Sequence, residues 1–140
     1  MLLSAIFRAG CAVGGLMTVS LLLGASPAFA VDQSFPYDSV FLLEAKPMKG
    51  SKRVPVLQIE SQGEASINLW CNTVPAQMVV AADTITIILG APTDKQCEAD
   101  RMQADQDLIG ALQQVTTWHR QDDLLVLQGD RSLRFRLSSN

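Results

Sequence analysis

Apolar residues recur at every second position in three stretches of the chain, 65–71, 84–89 and 131–137, and shorter apolar runs lie between turn residues elsewhere. A period of two indicates β-strands that bury one face. In the last such run, Leu133, Phe135 and Leu137 alternate with Ser132, Arg134 and Arg136. Turn residues interrupt the pattern, and the pattern predicts strands over 40–43, 54–59, 65–71, 77–82, 84–89, 115–120, 124–128 and 131–137.

The segment 98–115 has the spacing of a helix instead. Its apolar stripe is formed by Met102, Leu108, Ile109, Leu112 and Val115. Polar residues, Asp105 and Gln106 among them, lie between these positions. The helix stands between two groups of sequential strands without a repeated strand–helix–strand alternation, which favours an antiparallel α+β domain.

The first thirty residues follow a different pattern. Arg8 is their single charged residue, and the uncharged run after it closes on the small-x-small sequence of Ala28, Phe29 and Ala30, which signal peptidase recognises. We therefore expect a cleaved signal peptide over 1–30, one domain over 31–140, and export to the periplasm. The alternatives are an uncleaved membrane anchor, for which the apolar run is long enough, and a lipoprotein modified at Cys11.

Residues 31–140 contain ten Lys and Arg against fourteen Asp and Glu, which is a net charge of −4. An acidic domain is not expected to bind nucleic acid, because that requires Lys and Arg at the phosphates. Two basic clusters nevertheless stand out: Lys46, Lys49, Lys52 and Arg53 in a predicted hairpin loop, and Arg131, Arg134 and Arg136 on the last strand. Both suit weak contact with anionic envelope lipids, but the favoured interpretation is a solvated loop for the first cluster and a charged outer face that discourages strand-edge aggregation for the second.

Removal of the signal peptide leaves two cysteines, Cys71 and Cys97. An even pair in an oxidising compartment predicts a disulfide bond. Two free thiols and a redox pair are the alternatives, although the spacing is not that of Cys-x-x-Cys. A zinc site that combined the two cysteines with His119 would lack the usual ligand spacing, so no metal site is predicted.

The sequence contains no catalytic constellation that we recognise. Its serines lie outside a Gly-x-Ser-x-Gly turn, and it has neither a phosphate-binding glycine loop nor a dinucleotide motif. Two carboxylate pairs remain, but Asp105 and Asp107 diverge on the predicted helix, and Asp122 and Asp123 lie in a turn. We therefore expect a protein that is not an enzyme and needs no cofactor.

Short motifs along residues 36–138 follow one another in a familiar order. Cys71-Asn72 comes first, Thr93 precedes Cys97 by four residues, and a Val-Thr-Thr-Trp segment then begins at Val115. These motifs resemble the META domain family, the HslJ-like bacterial envelope and heat-shock proteins. The chain departs from the family pattern, because Trp70, Val74, Ala76 and Met78 stand where glycine, an aromatic residue, glycine and tyrosine are usual.

The resemblance implies an antiparallel, partly open barrel closed by one helix. It also implies a role in the envelope or in stress tolerance without an established catalytic activity. The family fold is similar to that of pilot proteins that escort secretin subunits, which implies a groove for an apolar ligand or a partner segment. We therefore expect a monomer that binds an unidentified protein or a small apolar ligand, or alternatively a pilot-like or chaperone-like protein for an outer-membrane component. The candidate binding surface comprises Trp70, Asn72 and Trp118, with Trp70 either exposed or packed under the helix.

Overall fold

The computed structural model describes residues 34–139. The predicted signal peptide and its cleavage residues, Ala28 and Ala30, lie outside the described residues. Within 34–139 the chain forms eight strands and one helix, in the order β1 (Ser39–Leu43), β2 (Val56–Ile59), β3 (Glu64–Asn68), β4 (Thr73–Ala81), β5 (Thr84–Leu89), α1 (Ala99–Gln113), β6 (Thr117–Gln121), β7 (Leu124–Gln128) and β8 (Ser132–Leu137).

The strands form a closed antiparallel barrel in sequence order. Each strand pairs with the next, and β8 returns to pair with β1, for example at Phe41 and Leu137. The antiparallel strands with one helix agree with the predicted α+β class, but the expectation of a partly open barrel was wrong. The sheet is closed by β8, which pairs with β7 along one edge and with β1 along the other, from Phe41 with Leu137 to Leu43 with Phe135.

The junction between β5 and β6 is nevertheless narrow. Within the described residues these strands share one pair in register, Thr84 with Thr117, whereas β4 and β5 share six. Two main-chain hydrogen bonds hold the junction, from the N–H of Ile85 to the carbonyl of Thr116 (3.0 Å) and from the N–H of Trp118 to the carbonyl of Asp83 (2.9 Å). The shared pair consists of the first residue of each strand, so β5 and β6 meet only at these two ends, and the helix lies between the strands in the sequence.

Large apolar side chains fill the interior of the barrel. The inward positions of the alternating pattern include Phe41, Leu57, Ile67, Leu125 and Phe135, all of which are at most 1% exposed. Burying a side chain of this size stabilises the fold by roughly 1.5–3 kcal/mol. The packed core is therefore the main source of stability, and its side chains fill the barrel interior at these positions.

Helix α1 closes the barrel with the apolar side chains of Leu108 and Leu112, which belong to the same buried cluster as the strands. The helix ends two residues earlier than predicted, and Val115 lies buried in the connection to β6. In the part of the chain that the structure describes, no helix has the length and apolar character needed to cross a membrane.

Two glycines offer a matched test of this fold. Gly63 has a positive φ of 81°, and a Cβ at that position would overlap the carbonyl oxygen of Met78, whereas a Cβ on Gly110 in α1 would meet no atom within 4 Å. We expect Gly63→Ala to lower the free energy of unfolding by about 2 kcal/mol and Gly110→Ala to raise it by about 0.5–1 kcal/mol. Urea unfolding of the two variants measures both effects, and equal changes would contradict the turn geometry.

Candidate functional site

The main chain bends sharply between β3 and β4, at residues 69–72. The N–H of Leu69 donates to the carbonyl of Asn72 (2.8 Å), which closes the bend. The next three N–H groups all donate to the carboxylate of Asp105 on α1: those of Trp70 and Cys71 to Oδ1 (2.9 and 3.2 Å) and that of Asn72 to Oδ2 (2.7 Å). A single side chain of the helix therefore satisfies three donors of the bend.

Asp105 is the buried charged residue of the described core, with 2% of its surface exposed. A buried carboxylate is costly unless hydrogen bonds replace its water, and the three N–H donors supply such bonds. The sequence pattern placed Asp105 among the polar positions of the helix, so its role was missed. Asp105 stands three residues before Leu108 and seven before Leu112, and this helical spacing places it on the same buried face of α1. The spacing was the feature of the sequence from which its burial could have been predicted.

The side chain of Asn72 fastens a second segment to the bend. Its Oδ1 accepts hydrogen bonds from the N–H of Lys95 (2.7 Å) and the hydroxyl of Thr93 (2.9 Å), and its Nδ2 donates to the carbonyl of Lys95 (3.4 Å). The hydroxyl oxygen of Thr93 in turn accepts from the N–H of Thr73 (3.0 Å). The irregular segment between β5 and α1 is thus tied to the start of β4.

The structure contains the predicted disulfide bond between Cys71 and Cys97, with a Cα–Cα distance of 6.1 Å. The bond links the bend to the residues just before α1. We refer to the set Cys71, Asn72, Thr93, Cys97 and Asp105 as the bend cluster. It joins the sheet, the irregular segment and the helix through one covalent bond and several hydrogen bonds.

A cavity of about 500 Å³ lies beside the bend cluster, between the irregular segment and α1. We call it the helix groove. Its lining includes Asn72, Thr93, Lys95, Met102, Gln106 and Ile109. Polar groups stand on both sides, with Asn72, Thr93 and Lys95 on the bend and the irregular segment and Gln106 on the helix, where Met102 and Ile109 add apolar surface. Such a mixed lining suits a ligand that has both polar and apolar groups.

Of the three residues predicted to form a binding surface, Asn72 lies at the groove, and the two tryptophans do not. Trp118 is 4% exposed, its indole N–H donates to the carbonyl of Ala82 (2.8 Å), and its ring packs edge-on against Phe35. Trp118 is therefore a core residue, and its assignment to the surface was wrong. Trp70 is half-buried against the core and lines a second cavity of about 240 Å³.

The arginines of β8 are exposed and form ion pairs across the sheet. Arg134 and Arg136 both contact Glu44, and Arg136 also contacts Asp123 (2.8 Å). The hydrogen bond from Arg134 is the largest cause that lowers the pKa of Glu44 from its usual value, and the hydrogen bond from Arg136 is the second. Exposed pairs of this kind contribute little stability. His119 is exposed on β6, and among residues 34–139 no three His, Cys, Asp or Glu side chains are grouped to hold a metal ion.

Comparison with known proteins gives one family and two similar structures. A family model described as the META domain matches residues 31–140. An NMR structure of a protein from Burkholderia xenovorans is similar, with a TM-score of 0.62 and 19% identity, covering 74% of this chain and 84% of that one. A second NMR structure has a TM-score of 0.58 and 20% identity, covering 71% and 89%. At these identities the structures establish a shared fold, and no curated protein matches the chain.

The role of Asp105 can be tested by replacing one carboxylate oxygen with an amide. In Asp105→Asn the new NH₂ group cannot accept the main-chain N–H bonds, and at least one buried donor loses its acceptor. We expect the free energy of unfolding to fall by about 3 kcal/mol. Asp107→Asn is the matched control, because Asp107 is exposed and, among the described residues, its carboxylate accepts from Gln103 alone, so a change below about 0.5 kcal/mol is expected. Equal changes in urea unfolding would contradict the proposed anchoring.

The contribution of the disulfide can be measured in the same way. The bond joins residues 26 apart in sequence, so the chain-entropy relation gives about 3.5 kcal/mol of stabilisation. We expect the double variant Cys71→Ala/Cys97→Ala to lose about this amount, and dithiothreitol to destabilise the wild type but not the variant. Two alkylated cysteines in unfolded wild-type protein without reductant would show that the bond is not formed.

Proposed function

The chain belongs to the META domain family, and on this basis we propose that it is an exported, non-enzymatic binding protein of the bacterial envelope. It works in the periplasm after signal cleavage, in tolerance of envelope stress, by holding a partner or a small ligand. The helix groove is the observation that carries this proposal. It is the larger of the two cavities that border the bend and α1, and the bend cluster forms one of its walls.

The groove suits binding because its walls are held in place before any ligand arrives. The disulfide fixes Cys97 next to the bend, and the side chain of Asn72 fixes Thr93 and Lys95. Ordering a loop during binding costs free energy, and a loop that is already ordered avoids this cost. Preorganisation of an irregular, exposed segment is therefore useful to a binding protein.

The occupant favoured by the lining is a segment of another protein rather than an acyl chain. An acyl chain needs a continuous apolar tunnel, and the barrel interior is filled by Phe41, Phe135 and their neighbours. The groove instead combines a polar side chain of the helix, Gln106, with the apolar side chains of Met102 and Ile109. A peptide presents main-chain hydrogen-bonding groups together with apolar side chains, which matches this mixed lining.

Three of the four carboxylates considered as acid–base groups are engaged in other contacts, which supports a non-enzymatic role. Asp105 accepts three main-chain hydrogen bonds. Asp107 accepts a hydrogen bond from Gln103 (2.9 Å), and Asp123 pairs with Arg136. An acid–base catalyst must instead face a substrate with a free oxygen.

A pilot-like or chaperone-like role for an outer-membrane component is the second candidate. The groove is open along the helix, so an extended segment of a larger protein can enter from the side. A pilot-like or chaperone-like protein would hold a transient folding client, whereas the binding protein proposed first would hold a stable partner.

Native mass spectrometry of the protein purified from the periplasm tests the proposal. We expect a co-purified partner or ligand that is lost in Met102→Lys, which places a charge in the groove, and retained in Val79→Lys. Val79 is a fair control because it is also an exposed apolar residue, on β4 and outside the lining of the groove. Retention in both variants would exclude the groove, and loss in both would indicate a non-specific effect of the added charge.

A further inference from the structure

The domain carries positive charge in one exposed loop. The connection between β1 and β2 contains Lys46, Lys49, Lys52 and Arg53, and no acidic residue lies between positions 45 and 59. All four side chains are exposed. Within residues 34–139 none of them forms an ion pair, so their charges are uncompensated, although residues 31–140 as a whole are acidic.

The fold places this basic loop beside the arginines of β8. The N–H of Glu44 donates to the main-chain carbonyl of Arg134 (2.8 Å), so the loop begins beside the middle of β8. Ala45 and Arg131 line the same cavity of about 240 Å³. Farther along the loop, the carbonyl of Gly50 lies 3.5 Å from the guanidinium of Arg101 on α1. The start of the basic loop and Arg131 therefore lie on the same side of the barrel.

Arg131 differs from its neighbours on β8 in how its charge is satisfied. Arg134 and Arg136 share the carboxylate of Glu44. The guanidinium of Arg131 donates to the main-chain carbonyl of Asp107 (3.1 Å), which carries no formal charge. Arg131 is exposed and has no ion-pair partner among the described residues, so it adds a fifth uncompensated cation to the loop.

We propose that Lys46, Lys49, Lys52, Arg53 and Arg131 form a docking surface for the phosphate headgroups of an anionic lipid bilayer. We call these five residues the basic face. None of these five residues lines the helix groove, so the basic face and the groove can act together or alone. The basic face positions the protein at a membrane, whereas the groove takes the partner.

A bilayer fits the arrangement better than a single phosphate. A site for one phosphate converges its donors on a point, with bidentate contacts from arginine. Here four of the cations are spread along an exposed loop of eight residues, from Lys46 to Arg53. Many separate headgroups can each meet one cation, and each Lys or Arg near an anionic surface strengthens binding about fivefold.

Vesicle co-sedimentation with the purified protein tests this inference. We expect binding to vesicles that contain phosphatidylglycerol and none to vesicles of phosphatidylcholine alone. Binding should disappear at about 1 M salt, where the Debye length falls to about 3 Å. Equal sedimentation with both vesicle types, or binding that survives high salt, would overturn the proposal.

Matched variants separate the basic face from net charge. Lys49→Gln should weaken binding about fivefold and Lys49→Gln/Lys52→Gln about 25-fold. Arg120→Gln removes the same charge from β6, where the guanidinium donates to the carbonyl of Asp122, and should leave binding within twofold. An equal loss in Lys49→Gln and Arg120→Gln would show that net charge alone attracts the protein and would refute a defined face.

Soluble glycerol phosphate distinguishes a surface from a single phosphate site. If the bilayer is the ligand, glycerol phosphate at the same phosphate concentration should not displace the protein from the vesicles. Displacement would assign the basic face to a free phosphate group and overturn the membrane interpretation. Met102→Lys should bind vesicles at least as well as the wild type, so failure of the groove hypothesis and failure of this one give different results.

Discussion

The carboxylate of Asp105 is the contact on which the arrangement of this domain depends. It is buried and accepts three main-chain hydrogen bonds from the bend between β3 and β4. Without it the N–H groups of Trp70, Cys71 and Asn72 would face a helix that offers them no acceptor. The carboxylate sets where the helix sits against the sheet, and so where Cys97 meets Cys71 and where the groove opens. The apolar core supplies most of the stability, whereas this polar contact specifies the position of the helix.

Much of the fold could be predicted from the period of the apolar residues. The alternation of Leu133, Phe135 and Leu137 predicted β8 within one residue, and the spacing of Leu108 and Leu112 predicted α1. The bounds of β3 and β4 were less accurate, because the period continues through Leu69 and Cys71 although the chain bends there. Local alternation cannot show a bend that is held by a residue on a distant helix.

The candidate site was predicted only in part, for a related reason. The disulfide was predicted from the even pair of cysteines, and Asn72 from the resemblance to the META domain family, and the structure brings Cys71, Cys97 and Asn72 together in the bend cluster. Trp118 was predicted to lie at a binding surface because it is a large aromatic residue. In the structure it is a core residue, since its indole N–H donates to a main-chain carbonyl and its ring packs against Phe35. The meeting of the basic loop with Arg131 also depends on closure of the barrel, since β1 and β8 are far apart in sequence and adjacent in the sheet.

The narrow junction between β5 and β6 has a consequence for how the barrel moves. Regions with few hydrogen bonds open at a lower free energy than the rest of a domain. The junction rests on Thr84 and Thr117 with two flanking main-chain bonds, while the other boundaries of the sheet carry longer ladders. The β5–β6 pair is therefore the weakest strand pairing of the barrel. Separation of these two strands would open the barrel without breaking any β-hairpin. The helix α1, which connects β5 to β6 and packs against the core, opposes this opening.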